Sequence, residues 1–192
     1  MRGALALQYQ LATFGITTML NSEYTSTHVA PRAQRGAGEP RNALAAILAP
    51  ADIMLELDVS TKASFLQEIA RVVGERNGLH AVDVYASLVE RERIGSTALG
   101  CGVALPHARV KGLARPVAAF ARPRLAITFD APDLKPVTDV LVLLVPRQAT
   151  DEHLLLLAQA AEMFCDQSFR EDLAACTSAD EVHAAINEWR PA

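Results

Sequence analysis

VLVLLV, residues 140–145, is apolar at every position. A strand with one face in water alternates apolar and polar side chains, so this unbroken run predicts a central strand covered on both faces. Just after it, Thr150 predicts the N-cap of a helix from Asp151 to about Asp166. Further on, Ser178 and Glu181 form a capping box. Val182, Ala185, Ile186 and Trp189 follow at the i, i+3, i+4, i+7 spacing of one helical face. Upstream, shorter apolar runs at Val103–Leu105, Val117–Phe120 and Ala126–Phe129 read as further strands. DIMLELDV, residues 52–59, alternates with Ile53, Leu55, Leu57 and Val59 on one side. Ser60 predicts the start of a helix through Arg76, with Phe65, Leu66, Ile69, Ala70 and Val73 inward and Gly78 as its stop. A second helix is predicted over Ala81–Arg91, with Val82, Tyr85, Leu88 and Val89 inward. Helices interleaved with strands imply an α/β single-domain sandwich, a mixed, mostly parallel central sheet flanked by helices.

The chain has 192 residues, with 51% apolar and 21% charged side chains, a composition suited to a globular domain with a real core. Its net charge of −4 is uneven: residues 1–42 sum to +2 and the remainder to −6. A body of that sign repels phosphate backbones, so nucleic acid is not an expected partner. Cys101, Cys165 and Cys176 form no C-x-x-C pair, which argues against a disulfide framework and a zinc site and suits a reducing cytosol. All three read as small buried hydrophobes. Residues 21–42 are rich in Pro, Gly and small polar residues, so residues 1–42 are expected to form a poorly ordered extension to a domain over 43–192. The mildly apolar run Ala4–Leu20 is interrupted by Gln8, Gln10, Thr13, Thr17 and Thr18. It lacks a small-x-small cleavage site and reads as non-targeting. No run of about 18 apolar residues is present to insert into a membrane.

The chemistry concentrates in RERIGSTALGCGVALPHA, residues 91–108. Nine of the fourteen residues from Gly95 to Ala108 are small, which permits close approach by a backbone or a phosphate. Pro106 fixes its own φ and removes a ladder donor, so the strand at Val103–Leu105 is expected to stop there, with His107 at its C-terminal end. Strand C-terminal ends are where open α/β sheets place their sites.

This stretch resembles the phosphorylation-site signature of the phosphotransferase-system enzyme IIA domains of the fructose–mannitol class, most closely their nitrogen-regulatory branch. Glu92, Leu99-Gly100 and Val103 through His107 occupy the signature positions, with Ala108 where Gly is commoner. The resemblance extends over about residues 43–190. It implies that His107 is the phosphoryl acceptor of a phosphohistidine carrier, a phosphotransferase component of the transferase class. A neutral imidazole is nucleophilic near pH 7 and its P–N bond stays labile, so no metal or cofactor is required in the acceptor. The resemblance also implies that His153 is a second histidine stabilising the phosphate, and Arg91 an arginine near the site whose fork holds phosphate oxygens. Arg91 reads equally as one charge of the solvated run Glu90–Arg93. Ser96 and Thr97 are candidate phosphate donors or, as readily, structural turn residues. Leu155 stands where the nitrogen branch often has a further histidine. His28, His80 and His183 match nothing and read as surface residues.

Three functions follow from the resemblance and from the chemistry. The leading one is a regulatory phosphocarrier of a bacterial cytosol. It would accept phosphate from an HPr-like protein and act on nitrogen, carbon or potassium control through targets of the sensor-kinase or potassium-transporter type. The second is the sugar-transport enzyme IIA, which hands phosphate to a IIB domain. Such modules are often fused to further domains, and none follows before Ala192, so the regulatory role is expected. The third is a binding module whose His107 is never phosphorylated.

Overall fold

The computed structural model describes residues 42–148 and 152–191, without the side chains of Glu152 and His153. The extension expected over 1–42 lies outside the described residues except for Asn42, whose Oδ1 caps α1 (Ala43–Ile47) by accepting the Ala45 N–H at 2.8 Å. Thr150 and Asp151, expected to open a helix, are also outside them.

The run that predicted a central strand is β6 (Asp139–Pro146), buried at every position up to Val145. Val140, Val142 and Leu144 enter one hydrophobic cluster, and Leu141 and Leu143 enter the other. The sheet runs β1 (Leu48–Leu57), β5 (Val117–Pro123), β6, β3 (Val103–Ala104), β2 (Ala98–Gly100), while β4 (His107–Val110) also bonds β6. Three pairings are parallel (β1–β5, β3–β6, β4–β6) and two antiparallel (β5–β6, β2–β3). On one face lie α2 (Lys62–Asn77) and α3 (Ala81–Ile94). On the other lie α1, α4 (Glu152–Cys165), α5 (Gln167–Ala175) and α6 (Ala179–Glu188). This is the mixed α/β sandwich that the alternation of patterns predicts.

Several local expectations need correction, each for a physical reason. Helix α2 is capped by Thr61 rather than Ser60, because Thr61 Oγ1 accepts the Ser64 N–H at 3.0 Å and Ser64 Oγ accepts the Thr61 N–H at 3.1 Å. Its predicted inward residues are all buried, and Gly78 closes it in the left-handed region at φ 64°. In α3 the core positions are Val84 and Leu88, and Val82 is 76% exposed. That helix also runs three residues past Arg91, which puts Arg91 and Glu92 in its last turn.

In β1 the alternation breaks at Glu56, whose φ of 56° reverses the pleat. Ile53 and Leu55 face the α6 side, whereas Leu57 and Val59 pack against the α2 side. Residues 126–129 form no strand and contribute only the bridge Ile127–Val137. Cys101 and Cys165 are exposed and Cys176 half-buried, so none is a fully buried hydrophobe. The short elements α1, α5, β2 and β4 are not predicted by the apolar pattern.

The core can be tested at Phe120, which is fully buried on β5 against the α1–α6 side. Phe120→Ala removes its packing and leaves a cavity, an expected loss of about 3–5 kcal/mol in urea unfolding. A loss under about 1 kcal/mol would contradict this packing.

Candidate functional site

His107 does not sit at the end of a strand. Ala104 pairs with Val140 and His107 with Leu143, the same offset, so β3 and β4 are two halves of one line along β6. Pro106 lacks an N–H and interrupts the ladder without shifting register, and its carbonyl still accepts the Leu143 N–H at 2.9 Å. His107 therefore opens the second half. By register it lies on the face of Val103 and Leu105, the face on which α4 packs.

The ring is fixed at both nitrogens. Nδ1 lies 2.9 Å from the Leu105 carbonyl, which only accepts, so Nδ1 carries the proton. Nε2 accepts a hydrogen bond from Arg91 Nε at 2.9 Å. Burial pushes the His107 pKa down to about 4. The Leu105 carbonyl partly opposes this and the nearby Arg91 charge adds to it. The imidazole is thus neutral at physiological pH, with its nucleophilic lone pair on Nε2.

Arg91 is no solvated surface charge. It reaches His107 from the last turn of α3, on the opposite layer, and its Nη1 donates to the Gly95 carbonyl at 3.0 Å. Burial lowers its pKa and the neighbouring Glu92 charge raises it. It remains a cation at any ordinary pH.

Ser96 Oγ donates to the Phe129 carbonyl at 2.7 Å, and Thr97 Oγ1 donates to Glu92 Oε2 at 2.6 Å. Thr97 is 1% exposed. Both hydroxyl protons are engaged within the fold, which favours the turn-structural alternative for these residues over phosphate donation. The backbone of His153 lies in the first turn of α4, and its side chain is outside the described residues. Among the described residues no three His, Cys, Asp or Glu side chains group as a metal site would require, and no helix is long and apolar enough to cross a membrane. Sequence reasoning missed the Leu105 carbonyl, which sets the tautomer, and the Gly95 carbonyl, which steadies Arg91. Backbone acceptors leave no trace in residue identity.

Comparisons with known proteins bear on the family of the chain. Residues 46–189 match the family model described as "Phosphoenolpyruvate-dependent sugar phosphotransferase system, EIIA 2". The chain is 36% identical over 141 residues to a nitrogen regulatory protein of Pseudomonas aeruginosa, and 35% over 140 residues to one of Bradyrhizobium diazoefficiens. Each alignment covers 73% of this chain and 92% of the relative. Among solved structures it is similar to nitrogen regulatory protein IIA-Ntr from Neisseria meningitidis, with a TM-score of 0.72, 40% identity, and coverage of 76% of this chain and 99% of that one. The IIA mannitol structure from Escherichia coli has a TM-score of 0.61 at 20% identity, covering 72% and 97%, a likeness of fold alone. With a family model matched across most of its length and relatives of this identity, the chain belongs to the EIIA 2 family of the phosphoenolpyruvate-dependent sugar phosphotransferase system.

Proposed function

We propose that this protein is a regulatory phosphocarrier that takes a phosphoryl group onto His107 Nε2 from an HPr-like donor and acts through protein targets. The observation that carries this reading is the fixed, neutral imidazole: Nδ1–H is held by the Leu105 carbonyl and Nε2 faces Arg91 at 2.9 Å. In the transfer Nε2 attacks phosphorus in line, forming one P–N bond as the donor's breaks. The Nδ1–H bond to Leu105 strengthens as the ring gains positive character. Arg91 Nε–H at first occupies the lone pair that must attack, so it moves by one atom, from the ring nitrogen to a phosphoryl oxygen. The new phosphate then adds negative charge at His107, and that change is the signal to a target. The nitrogen-regulatory role, over sugar transport, is supported by relatives of that name at 35–36% identity over 73% of this chain, whereas a fructose-specific EIIA component is 33% identical over only 53% of it. A cytoplasmic protein acting on targets of the sensor-kinase or potassium-transporter type fits such a role. Incubation with phosphoenolpyruvate and the upstream carriers should add the mass of one phosphoryl group. An unchanged intact mass would leave only the non-phosphorylated binding module.

His153 is proposed as a supporting donor to the phosphoryl oxygens. The support is its place in the first turn of α4, where free N–H groups favour an anion, on the helix layer that covers the His107 face. His153→Ala is expected to leave His107 competent but slow transfer by about 10²-fold, as loss of one oriented donor does. A change below about twofold in single-turnover transfer is what an exposed helix-start histidine would give.

A further inference from the structure

The last turn of α3 and the loop after it hold a partly buried ionic and hydrogen-bonded frame that no step of the transfer uses. Glu92, whose side chain is 7% exposed, accepts both the Thr97 N–H at 3.0 Å and the Thr97 Oγ1–H at 2.6 Å on Oε2. Its Oε1 accepts from Lys62 Nζ at 3.1 Å, and Lys62 reaches across from α2 to bond Asp130 Oδ2 at 2.6 Å as well. Hydrogen bonds to the two carboxylates hold the Lys62 pKa up against burial, so the ammonium stays charged. Ser96 adds a second tie. Its Oγ donates to the Phe129 carbonyl and accepts the Ala98 N–H at 3.2 Å.

These ties fix residues 96–98 from two directions, and Gly95 immediately precedes them. The Gly95 carbonyl is where Arg91 Nη1 anchors, while Nε of the same guanidinium meets His107 Nε2. A guanidinium has a rigid planar fork, so fixing one nitrogen and the stem fixes the direction of the others. The route from Lys62 and Glu92 to the acceptor nitrogen is thus short: carboxylate to Thr97, loop to the Gly95 carbonyl, Arg91 to His107.

We propose that Glu92 is a positioning residue for phosphoryl transfer, acting through the Gly95–Thr97 loop to aim Arg91 at the acceptor. The inference rests on His107 as the acceptor. A glutamine here would still present an oxygen acceptor to Thr97. Alanine removes that oxygen. The Gly95 carbonyl then loses its fixed place, and Arg91 adopts positions from which it does not follow the transferring phosphate. Misplacement on the order of 1 Å costs about 10²-fold in rate.

The test is a double-mutant cycle in the full chain, with single-turnover transfer from the phosphorylated donor. Glu92→Ala is expected to lower the transfer rate by about 10²-fold with little change in donor affinity, and Glu92→Gln to restore most of it. On an Arg91→Ala background, Glu92→Ala should change the rate by no more than about twofold, because its effect runs through Arg91. Equal losses on both backgrounds would overturn the proposal, since a merely structural role is additive.

The Arg91 Nε–H proton resonance gives a readout independent of phosphorylation. It should be exchange-protected in the wild type and in Glu92→Gln, and lost in Glu92→Ala. Protection retained in Glu92→Ala would also overturn the proposal. If the wild type takes no phosphate, the phosphocarrier reading fails and this resonance still decides the positioning role. If Glu92→Ala does not fold, Thr97→Val removes one of the two donors to Oε2. It should give a smaller loss in the same direction and on the Arg91 background none.

Discussion

His107→Gln is expected to yield a folded protein that takes up no phosphoryl group, a complete loss by intact mass under conditions that label the wild type in full. Glutamine keeps a side-chain amide able to donate to Leu105 and to accept from Arg91, so the fold need not rearrange. The nucleophilic ring nitrogen is gone. His107→Ala should behave alike in phosphorylation. Any acid-labile phosphate left in either variant would place the acceptor elsewhere.

The same substitution carries a pH signature whose sign is fixed by the depressed pKa. The folded protein holds His107 neutral down to about pH 4, whereas an unfolded chain protonates it near the ordinary value of 6.5. Between those values the unfolded state binds more protons, so wild-type stability falls as pH drops from about 6.5 to about 4 and levels off below. The full difference is about 3 kcal/mol. His107→Gln should lack this portion of the acid limb. In the wild type the His107 Cε1–H resonance should titrate with a midpoint near 4. A midpoint near 6.5 would mean that the ring is solvated, and the fixed neutral nucleophile would have to be abandoned.

How much of this was legible in the residues depends on which interaction decided each element. Burial wrote itself plainly: VLVLLV marked the central strand, and the face Phe65, Leu66, Ile69, Ala70, Val73 marked α2. Side-chain caps were legible where the acceptor and its partner are spaced by rule, as at Ser178 and Glu181. Backbone geometry was not. The positive φ of Glu56, which flips half of β1, follows from no residue preference at that position. Pro106 predicts a strand end because it removes a ladder bond, yet β6 continues past it and supplies partners on both sides.

The site divided the same way. His107 and Arg91 were legible as residue types in a motif. The carbonyls of Leu105 and Gly95 that orient them became visible only with the chain folded. Glu92 was in plain view as the first position of the signature, but its partner Lys62 lies thirty residues away with no local mark.

Arg91→Ala is expected to slow phosphoryl transfer to His107 by about 10²–10³-fold while leaving the acceptor intact. The guanidinium bonds the acceptor nitrogen through Nε at 2.9 Å, so it stands beside the phosphoryl oxygens on which charge develops. Its fork is already anchored through Nη1 at Gly95, so little reorganisation is needed at the moment of transfer. Arg91→Lys should recover only part of the rate, because one ammonium on a flexible stem does not bond the Gly95 carbonyl and the phosphate with the same planar geometry.

The two possible roles of Arg91, lowering the pKa of the nucleophile or stabilising the phosphate, separate by titration. Burial is the larger cause of the low His107 pKa, and the Arg91 charge the smaller. Removing the charge should therefore raise the midpoint while leaving it well below 6.5, and the ring stays neutral at pH 7. A rate loss at pH 7 in Arg91→Ala then cannot come from protonation of the nucleophile and must come from the lost donor. A loss below about threefold at that pH would show that Arg91 serves the resting geometry of His107 and not the transfer itself.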